Sequence, residues 1–179
     1  VGGGNVAMDA ARCAVRFGAD KVYIIYRRSM AELPSRYEEV IHAEEEGIEF
    51  KLLTNPVKIL DDGNFFVKAI ECVEMTLGEP DESGRRSPVV KPDSNFLLDV
   101  DCVIMSIGTS ASNVVTGSTY GLQTDRKGNL IIDKNGMTSR VGVFAGGDAV
   151  TGPATVILAM DAGKIAAKGI AEYIANKNK

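Results

Sequence analysis

The sequence predicts an α/β fold in which a parallel sheet carries an antiparallel β-meander. Three observations support this prediction. A glycine-rich turn near the start of the chain leads into a helix and then into an apolar strand. The middle of the chain alternates short β-type segments with tight turns, and a second strand, glycine turn and helix follow near its end. The 179 residues suffice for one domain or two small lobes with a proper core.

Composition and charge exclude several functions. The chain is 45% hydrophobic and 25% charged, with a formal net charge of −4 and no sustained Lys/Arg run, so we expect no nucleic-acid partner. The longest apolar runs are strand-sized, which predicts no membrane span. Cys13, Cys72 and Cys102 are scattered without a C-x-x-C pair. We therefore expect three small core residues, no disulfide, no metal site and a reducing, cytoplasmic location.

The glycine-rich stretch VGGGNVAMDAAR fits G-x-G-x-x-A, with Gly2, Gly4 and Ala7 at the three small positions. In a dinucleotide site the first glycine makes a tight turn and the second lets the backbone approach a pyrophosphate. The third small residue packs the helix on the sheet, and the phosphates lie at the helix N-terminus. Any strand-to-helix glycine turn also fits the pattern. Since such a motif follows a buried strand, we expect the chain to be a piece of a larger protein.

A helix and a strand follow the glycine turn. Apolar residues at helical spacing predict a helix that Gly18 ends, and residues 21–26 predict a buried parallel strand. An acidic residue after this strand would bind the ribose of NAD, but Arg27 and Arg28 stand there. Guanidinium groups bind phosphate through bidentate hydrogen bonds, which favours NADP over NAD. The alternative is a pair of solvated surface arginines.

The next segments predict structure rather than chemistry. Ser35 and Glu38 form a capping box for a helix from about Arg36 to before Gly47. His42, the only histidine, falls on the polar face of this helix, which favours a surface role over a catalytic or ligand role. The other predicted elements are strands at 48–53, 96–100, 102–107 and 129–133, a hairpin formed by 57–60 and 65–76, an exposed excursion at 78–95 and a loop at 109–122.

The second glycine turn contains Gly147 and Asp148 and precedes a long helix predicted to begin near Ala154. A carboxylate after a Gly-Gly turn can accept a hydrogen bond from a sugar-like hydroxyl, and a helix N-terminus can stabilise an anion. Alternatively, the aspartate caps the turn before the helix. The sequence leaves both interpretations open.

With both glycine turns in place, the chain resembles the two-dinucleotide-domain flavoproteins of the pyridine nucleotide–disulfide oxidoreductase-like family over its whole length. It is most similar to the small (beta) subunits of NADPH-dependent glutamate synthase, and the missing C-x-x-C separates it from thioredoxin reductases. The sequence departs from the family pattern after Gly108, where a Pro-Asn pair is missing. The motifs that carry the resemblance are 2–9, 26–28, 33–36 with Glu38 and Glu39, 78–81 with 83–86, and 144–156.

The resemblance implies a Rossmann-type NADPH-binding lobe at about 1–108, with its first strand missing, and the C-terminal part of an FAD-binding lobe at 109–179. Gly2, Gly4 and Ala7 would hold the NADPH pyrophosphate, Arg27 and Arg28 the 2′-phosphate, and Asp148 the FAD ribityl chain, with 154–156 against the flavin. The full set of cofactor-binding residues implied is Gly2, Gly3, Gly4, Asn5, Val6, Ala7, Arg27, Arg28, Gly108, Gly147, Asp148, Ala154, Thr155 and Val156.

The resemblance also implies a reaction. Hydride passes from NADPH to FAD, and single electrons then pass to iron–sulfur clusters held outside this chain. In glutamate synthase the large subunit is the electron acceptor and expected partner. No general acid or base is needed, so we name no catalytic residue. Alternatives are an NADPH:ferredoxin oxidoreductase subunit, another electron acceptor, and a non-catalytic NADP-binding module. We expect this chain alone to be inactive, and a neighbouring copy to fill its missing strand in a homo-oligomer.

Overall fold

Helix α1 (Asn5–Arg16) follows the glycine turn and ends at the glycine that the sequence predicted. Gly18 has a φ of +90°, a left-handed conformation that glycine adopts without a Cβ clash. Its amide donates to the carbonyl of Val15 at 2.9 Å, and the amide of Ala19 donates to the carbonyl of Ala14 at 3.2 Å. These two bonds form a Schellman motif, so the predicted helix end is confirmed.

The computed structural model describes residues 1–82 and 84–177, which form two compact units, Val1–Ile107 and Gly108–Lys179. Ser83, which belongs to one of the motifs quoted above, lies outside the described residues.

The first unit contains a parallel strand pair covered by helices. Strand β1 (Tyr23–Ile25) pairs with β2 (Glu49–Lys51), and α2 (Tyr37–Glu45) connects them. Apolar side chains of α1 and α2 pack on this pair because both helices turn their apolar stripes towards it. The parallel arrangement and the α/β class are therefore confirmed. The buried members of this core are Met8, Ala11, Ile24, Val40, Ala43 and Ile48.

A three-stranded antiparallel sheet in the order β3–β4–β5 completes the first unit. Its strands are β3 (Thr54–Asp61), β4 (Val67–Pro80) and β5 (Arg86–Asp99), which confirms the meander. The excursion predicted at 78–95 is mostly exposed, as expected, but β4 and β5 continue through most of it as a long hairpin, which the sequence did not predict. Pro88 and Pro92 fit β5 because it is an edge strand, where a residue without an amide hydrogen is tolerated.

The segment 102–107, predicted as a strand, is not part of any ladder formed by the described residues. Among the described residues only Val1 makes hydrogen bonds with it: the terminal amine of Val1 donates to the carbonyl of Ile104 at 2.7 Å, and the amide of Ser106 donates to the carbonyl of Val1 at 2.7 Å. Beyond Val1 an apolar slot of about 850 Å³ separates this segment from β1. Ile104 is consequently 48% exposed, so the prediction of a buried strand is wrong.

The second unit consists of helices joined by turns. The loop predicted at 109–122 contains a short helix, because Ser112 accepts a hydrogen bond from the amide of Val114 as an N-cap. The strand predicted at 129–133 makes only isolated bridges, such as Ile132 with Thr138. The helices of this unit are α3 (Asn113–Ser118), α4 (Asp148–Thr151) and α5 (Val156–Lys177).

The cysteines do not all lie in the core. Cys72 is fully buried between β3 and β5, and burial raises the pKa of its thiol. Cys13 and Cys102 are exposed, so the prediction of three core cysteines is wrong for these two. All three are free thiols.

Candidate functional site

Contacts within the protein require glycine at positions 2 and 3 of the glycine-rich turn. Gly2 has a φ of +134°, and a Cβ there would overlap the carbonyl of Ser106. A Cβ on Gly3 would lie 2.7 Å from the ring of Tyr26 and 2.8 Å from a methyl group of Leu33. Gly2 therefore allows the turn to leave the sheet edge, and Gly3 allows the loop after β1 to pack directly on the turn.

Gly4 has no such internal reason to be glycine. It is the N-cap of α1, its φ of −92° and ψ of 176° are open to any residue, and a Cβ would meet nothing within 4 Å. No side chain caps α1 at this point. The first-turn amides of a helix carry a partial positive charge and favour an anion. The space beside Gly4 therefore fits a phosphate that approaches the backbone.

The other motif residues surround this helix start. Asn5 and Val6 are exposed, with Val6 69% accessible, whereas Ala7 is buried against the sheet. The small side chain of Ala7 thus serves helix packing, the role predicted for the third small position.

The loop after β1 is locked by its own hydrogen bonds. The hydroxyl of Tyr26 donates to the carbonyl of Glu32 at 2.7 Å. Ser29 and Glu32 form a capping box around a 3₁₀ turn at Met30–Glu32. The capping box predicted at Ser35 is wrong, because Arg36 is the N-cap of α2 and no side chain caps that helix. The sequence contains two Ser-x-x-Glu patterns in this loop, Ser29 to Glu32 and Ser35 to Glu38. Only the first forms the reciprocal hydrogen bonds of a capping box.

The two arginines after β1 have different environments. Arg27 is exposed, and its guanidinium makes no hydrogen bond or ion pair with a residue in the described part of the chain. Arg28 is only 6% exposed: its Nε donates to the carbonyl of Arg86 at 2.7 Å, and its guanidinium pairs with Asp81 at 2.5 Å. Arg28 therefore links this loop to the β4–β5 hairpin, a structural role that the sequence did not indicate.

The second glycine turn lies in the second unit. Gly147 has a φ of +68° and is buried beside Ala159, and Gly146 packs against Ala162. Asp148 is exposed, and its carboxylate accepts no hydrogen bond from a described residue. Gly147 is the N-cap of α4 and receives no side-chain bond, so the alternative that Asp148 caps this turn is wrong. The carboxylate is available to an external hydroxyl.

The start of α5 follows the same turn. Thr155 caps the helix, because its Oγ1 accepts a hydrogen bond from the amide of Leu158 at 3.4 Å. Ala154 and Val156 are exposed on either side of it, with Val156 75% accessible. Gly108, the first residue of the second unit, is exposed with a φ of +87°. An exposed apolar helix start fits the face of a flat ring.

Other predictions about chemistry can be compared with the described residues. His42 is exposed on α2, as expected for a surface histidine. Within residues 1–82 and 84–177, no group of three or more His, Cys, Asp or Glu side chains is placed to hold a metal ion. No helix in that part of the chain is long and apolar enough to cross a membrane.

Comparison with known proteins identifies the family. The family model for pyridine nucleotide-disulphide oxidoreductase matches residues 1–163. The chain belongs to this family. Both glycine turns and the start of α5 lie within the matched residues.

Several relatives are similar over nearly the whole chain. The beta subunit of NADP(+)-dependent formate dehydrogenase from Moorella thermoacetica is 45% identical over 97% of this chain and 24% of that protein. The beta subunit of NADPH-Fe(3+) oxidoreductase from Geobacter sulfurreducens is 37% identical over 97% of this chain and 29% of that protein. The small chain of glutamate synthase [NADPH] from Escherichia coli is 36% identical over 97% of this chain and 38% of that protein. The chain thus spans about a quarter to two fifths of these relatives.

Solved structures show the same fold. Thioredoxin reductase from Lactococcus lactis superposes with a TM-score of 0.76 at 22% identity, over 98% of this chain and 52% of that chain. Mycobacterium tuberculosis FprA, solved in complex with NADPH, gives a TM-score of 0.70 at 18% identity, over 99% of this chain and 51% of that chain. These structures support the fold, and the family model over residues 1–163 confirms the predicted assignment at the level of the oxidoreductase family.

Proposed function

We propose that the first unit binds NADPH at its glycine turn and that the chain is part of an NADPH-dependent flavoprotein reductase. The observation that carries this proposal is the open start of α1 at Gly4. The chain itself does not need a glycine there, whereas a pyrophosphate that approaches the backbone does. Arg27, exposed and without a partner in the described part, supports recognition of the 2′-phosphate that distinguishes NADPH from NADH.

The protein groups would bind and orient the cofactors. The first-turn amides of α1 would hold the pyrophosphate, and the exposed carboxylate of Asp148 would accept a hydrogen bond from a hydroxyl of the FAD ribityl chain. The apolar start of α5 at Val156 would shield the flavin ring from water. When bound, the two cofactors supply hydride transfer from NADPH to FAD and single-electron delivery to iron–sulfur clusters outside this chain.

The proposal also covers the identity of the final electron acceptor. We propose the large subunit of glutamate synthase, in a reaction that yields glutamate, because the motif set resembles the small subunit of that enzyme. The alternative is a partner in another electron-transfer complex. It is supported by the 45% identity to a formate dehydrogenase beta subunit and the 37% identity to an NADPH-Fe(3+) oxidoreductase beta subunit.

Flavin reduction under anaerobic conditions tests the proposal. In a protein that contains this chain together with a complete flavin site, we expect NADPH to bleach the flavin, and Arg27→Ala to slow the reaction with NADPH but not with NADH. For this chain alone, supplemented with FAD, we expect binding of NADPH without its oxidation. Robust NADPH oxidation by the chain alone would contradict that expectation. Unchanged flavin absorbance in the complete protein would instead favour the non-catalytic NADP-binding module.

A further inference from the structure

Two arginines in the first unit have guanidinium groups that are not hydrogen-bonded or ion-paired to the residues that the structure describes. Arg27 and Arg36 are exposed, and neither guanidinium makes a hydrogen bond or ion pair with a described residue. An arginine that binds a phosphate must have its donors available, so this contrast separates candidate ligands from structural arginines. The arginines of this unit that do have partners are Arg12, Arg16, Arg28, Arg85 and Arg86.

The backbone of Arg36 is fixed to the glycine turn. Its amide donates to Oδ1 of Asn5, the first residue of α1, at 2.9 Å. Leu33, three residues earlier, packs so closely on Gly3 that a Cβ there would lie 2.8 Å from its methyl group. Two contacts therefore hold residues 33–36 against the start of α1, while the side chain of Arg36 stays exposed.

A further polar group in this loop lacks a protein partner. The hydroxyl oxygen of Ser35 is buried and makes no hydrogen bond with any described residue. A buried hydroxyl without a partner costs about 1–3 kcal/mol, so such groups are uncommon. It lies one residue from Arg36, so the loop beside the glycine turn contains a polar group that its own protein contacts do not satisfy.

We propose that Arg36 is the second arginine of the 2′-phosphate site and acts together with Arg27, while Arg28 holds the loop in place from within the protein. This inference rests on the proposed function, because it names a specificity-determining residue for the same NADPH site. A phosphomonoester dianion offers three acceptor oxygens, enough for two guanidinium groups. The pairing of Arg28 with Asp81 fixes the loop that carries both exposed arginines.

Calorimetric titration of the protein with 2′,5′-ADP and with 5′-AMP tests the proposal. The two probes share the adenosine and the 5′-phosphate and differ only in the 2′-phosphate. For Arg36→Ala we expect the Kd of 2′,5′-ADP to rise about 10- to 100-fold, as for the loss of a charge-assisted hydrogen bond, and the Kd of 5′-AMP to stay unchanged. The backbone amide that holds Asn5 remains in this variant. Arg126→Ala, which removes an exposed arginine in the second unit, is the matched control and should change neither Kd.

The possible failures are distinguishable. If Arg36→Ala binds 2′,5′-ADP as the wild type does while Arg27→Ala binds it more weakly, the inference is wrong and the proposed function stands. Equal weakening of both probes would assign Arg36 to the shared 5′-phosphate and would also overturn the inference. If the wild type binds neither 2′,5′-ADP nor NADPH, the inference and the proposed function both fail.

Discussion

The replacement Gly4→Ala separates ligand binding from folding at the glycine turn. The backbone there, with φ of −92° and ψ of 176°, suits alanine, and the new methyl group would meet nothing within 4 Å. Alanine is a weaker N-cap than glycine, so we expect the free energy of unfolding to fall by less than about 1 kcal/mol. The methyl group would, however, displace a pyrophosphate from the first-turn amides. Losing one hydrogen bond to a charged group costs about 1.5–3 kcal/mol, so the Kd of NADPH should rise at least 10-fold.

Gly3→Ala is the matched variant with the opposite expectation for stability. Its methyl group would lie 2.7 Å from the ring of Tyr26, and such overpacking costs about 1–3 kcal/mol. Urea unfolding should rank Gly3→Ala below Gly4→Ala in stability, and calorimetry should show weakened NADPH binding for Gly4→Ala although it is folded. Wild-type NADPH affinity in Gly4→Ala would refute the reasoning, because Gly4 would then have no role in binding.

The remaining predictions concern Arg28, Arg27, Asp125 and the apolar slot beside β1. Arg28→Ala should lower the free energy of unfolding by about 2 kcal/mol because it breaks the pair with Asp81, whereas Arg27→Ala should change it by less than about 0.5 kcal/mol in the same urea titration. Arg27→Ala should instead weaken NADPH binding about 10- to 100-fold by calorimetry. Hydrogen bonds from the backbone and side chain of Asn129 lower the pKa of Asp125 below 3.8, so its stabilisation is present above about pH 4 and is lost as the pH falls through the lowered pKa. The stability difference between the wild type and Asp125→Ala should therefore be larger near neutral pH than in acid; a difference that is constant with pH would contradict this. The apolar slot of about 850 Å³ beside β1 should promote self-association, and a strictly monomeric chain by light scattering would count against it.

Local sequence signals predicted the elements whose stability is local. The end of α1 at Gly18 and the β3–β4 hairpin depend on residues that are neighbours along the chain, and both were predicted. The interpretation of 102–107 as a buried strand failed because a strand is defined by its partners, and in the part of the chain that the structure describes Val1 alone makes hydrogen bonds with this segment. Apolar character indicates a strand but does not supply the neighbouring strand.

The sequence predicted the candidate site as a set of residues with assigned roles, but it did not separate the residues that hold the protein together from those that are open to a ligand. Gly3 and Gly4 are adjacent in the sequence, yet Gly3 allows the close packing of Tyr26 and Gly4 faces open space. Arg27 and Arg28 are adjacent, but the partner of Arg28 is Asp81, 53 positions away. Contacts between distant segments decide which of two like residues remains available to a ligand, and no local pattern reports them.

Calorimetric titration of the wild-type chain with NADPH and, in parallel, with NADH tests the central claim most directly. We predict that NADPH binds about 10-fold or more tightly than NADH, since the exposed arginine after β1 adds at least one charge-assisted contact to the 2′-phosphate. Equal affinity for the two nucleotides would contradict the assignment of the phosphate-binding arginines. Binding of neither would contradict the claim that the glycine turn is a dinucleotide site.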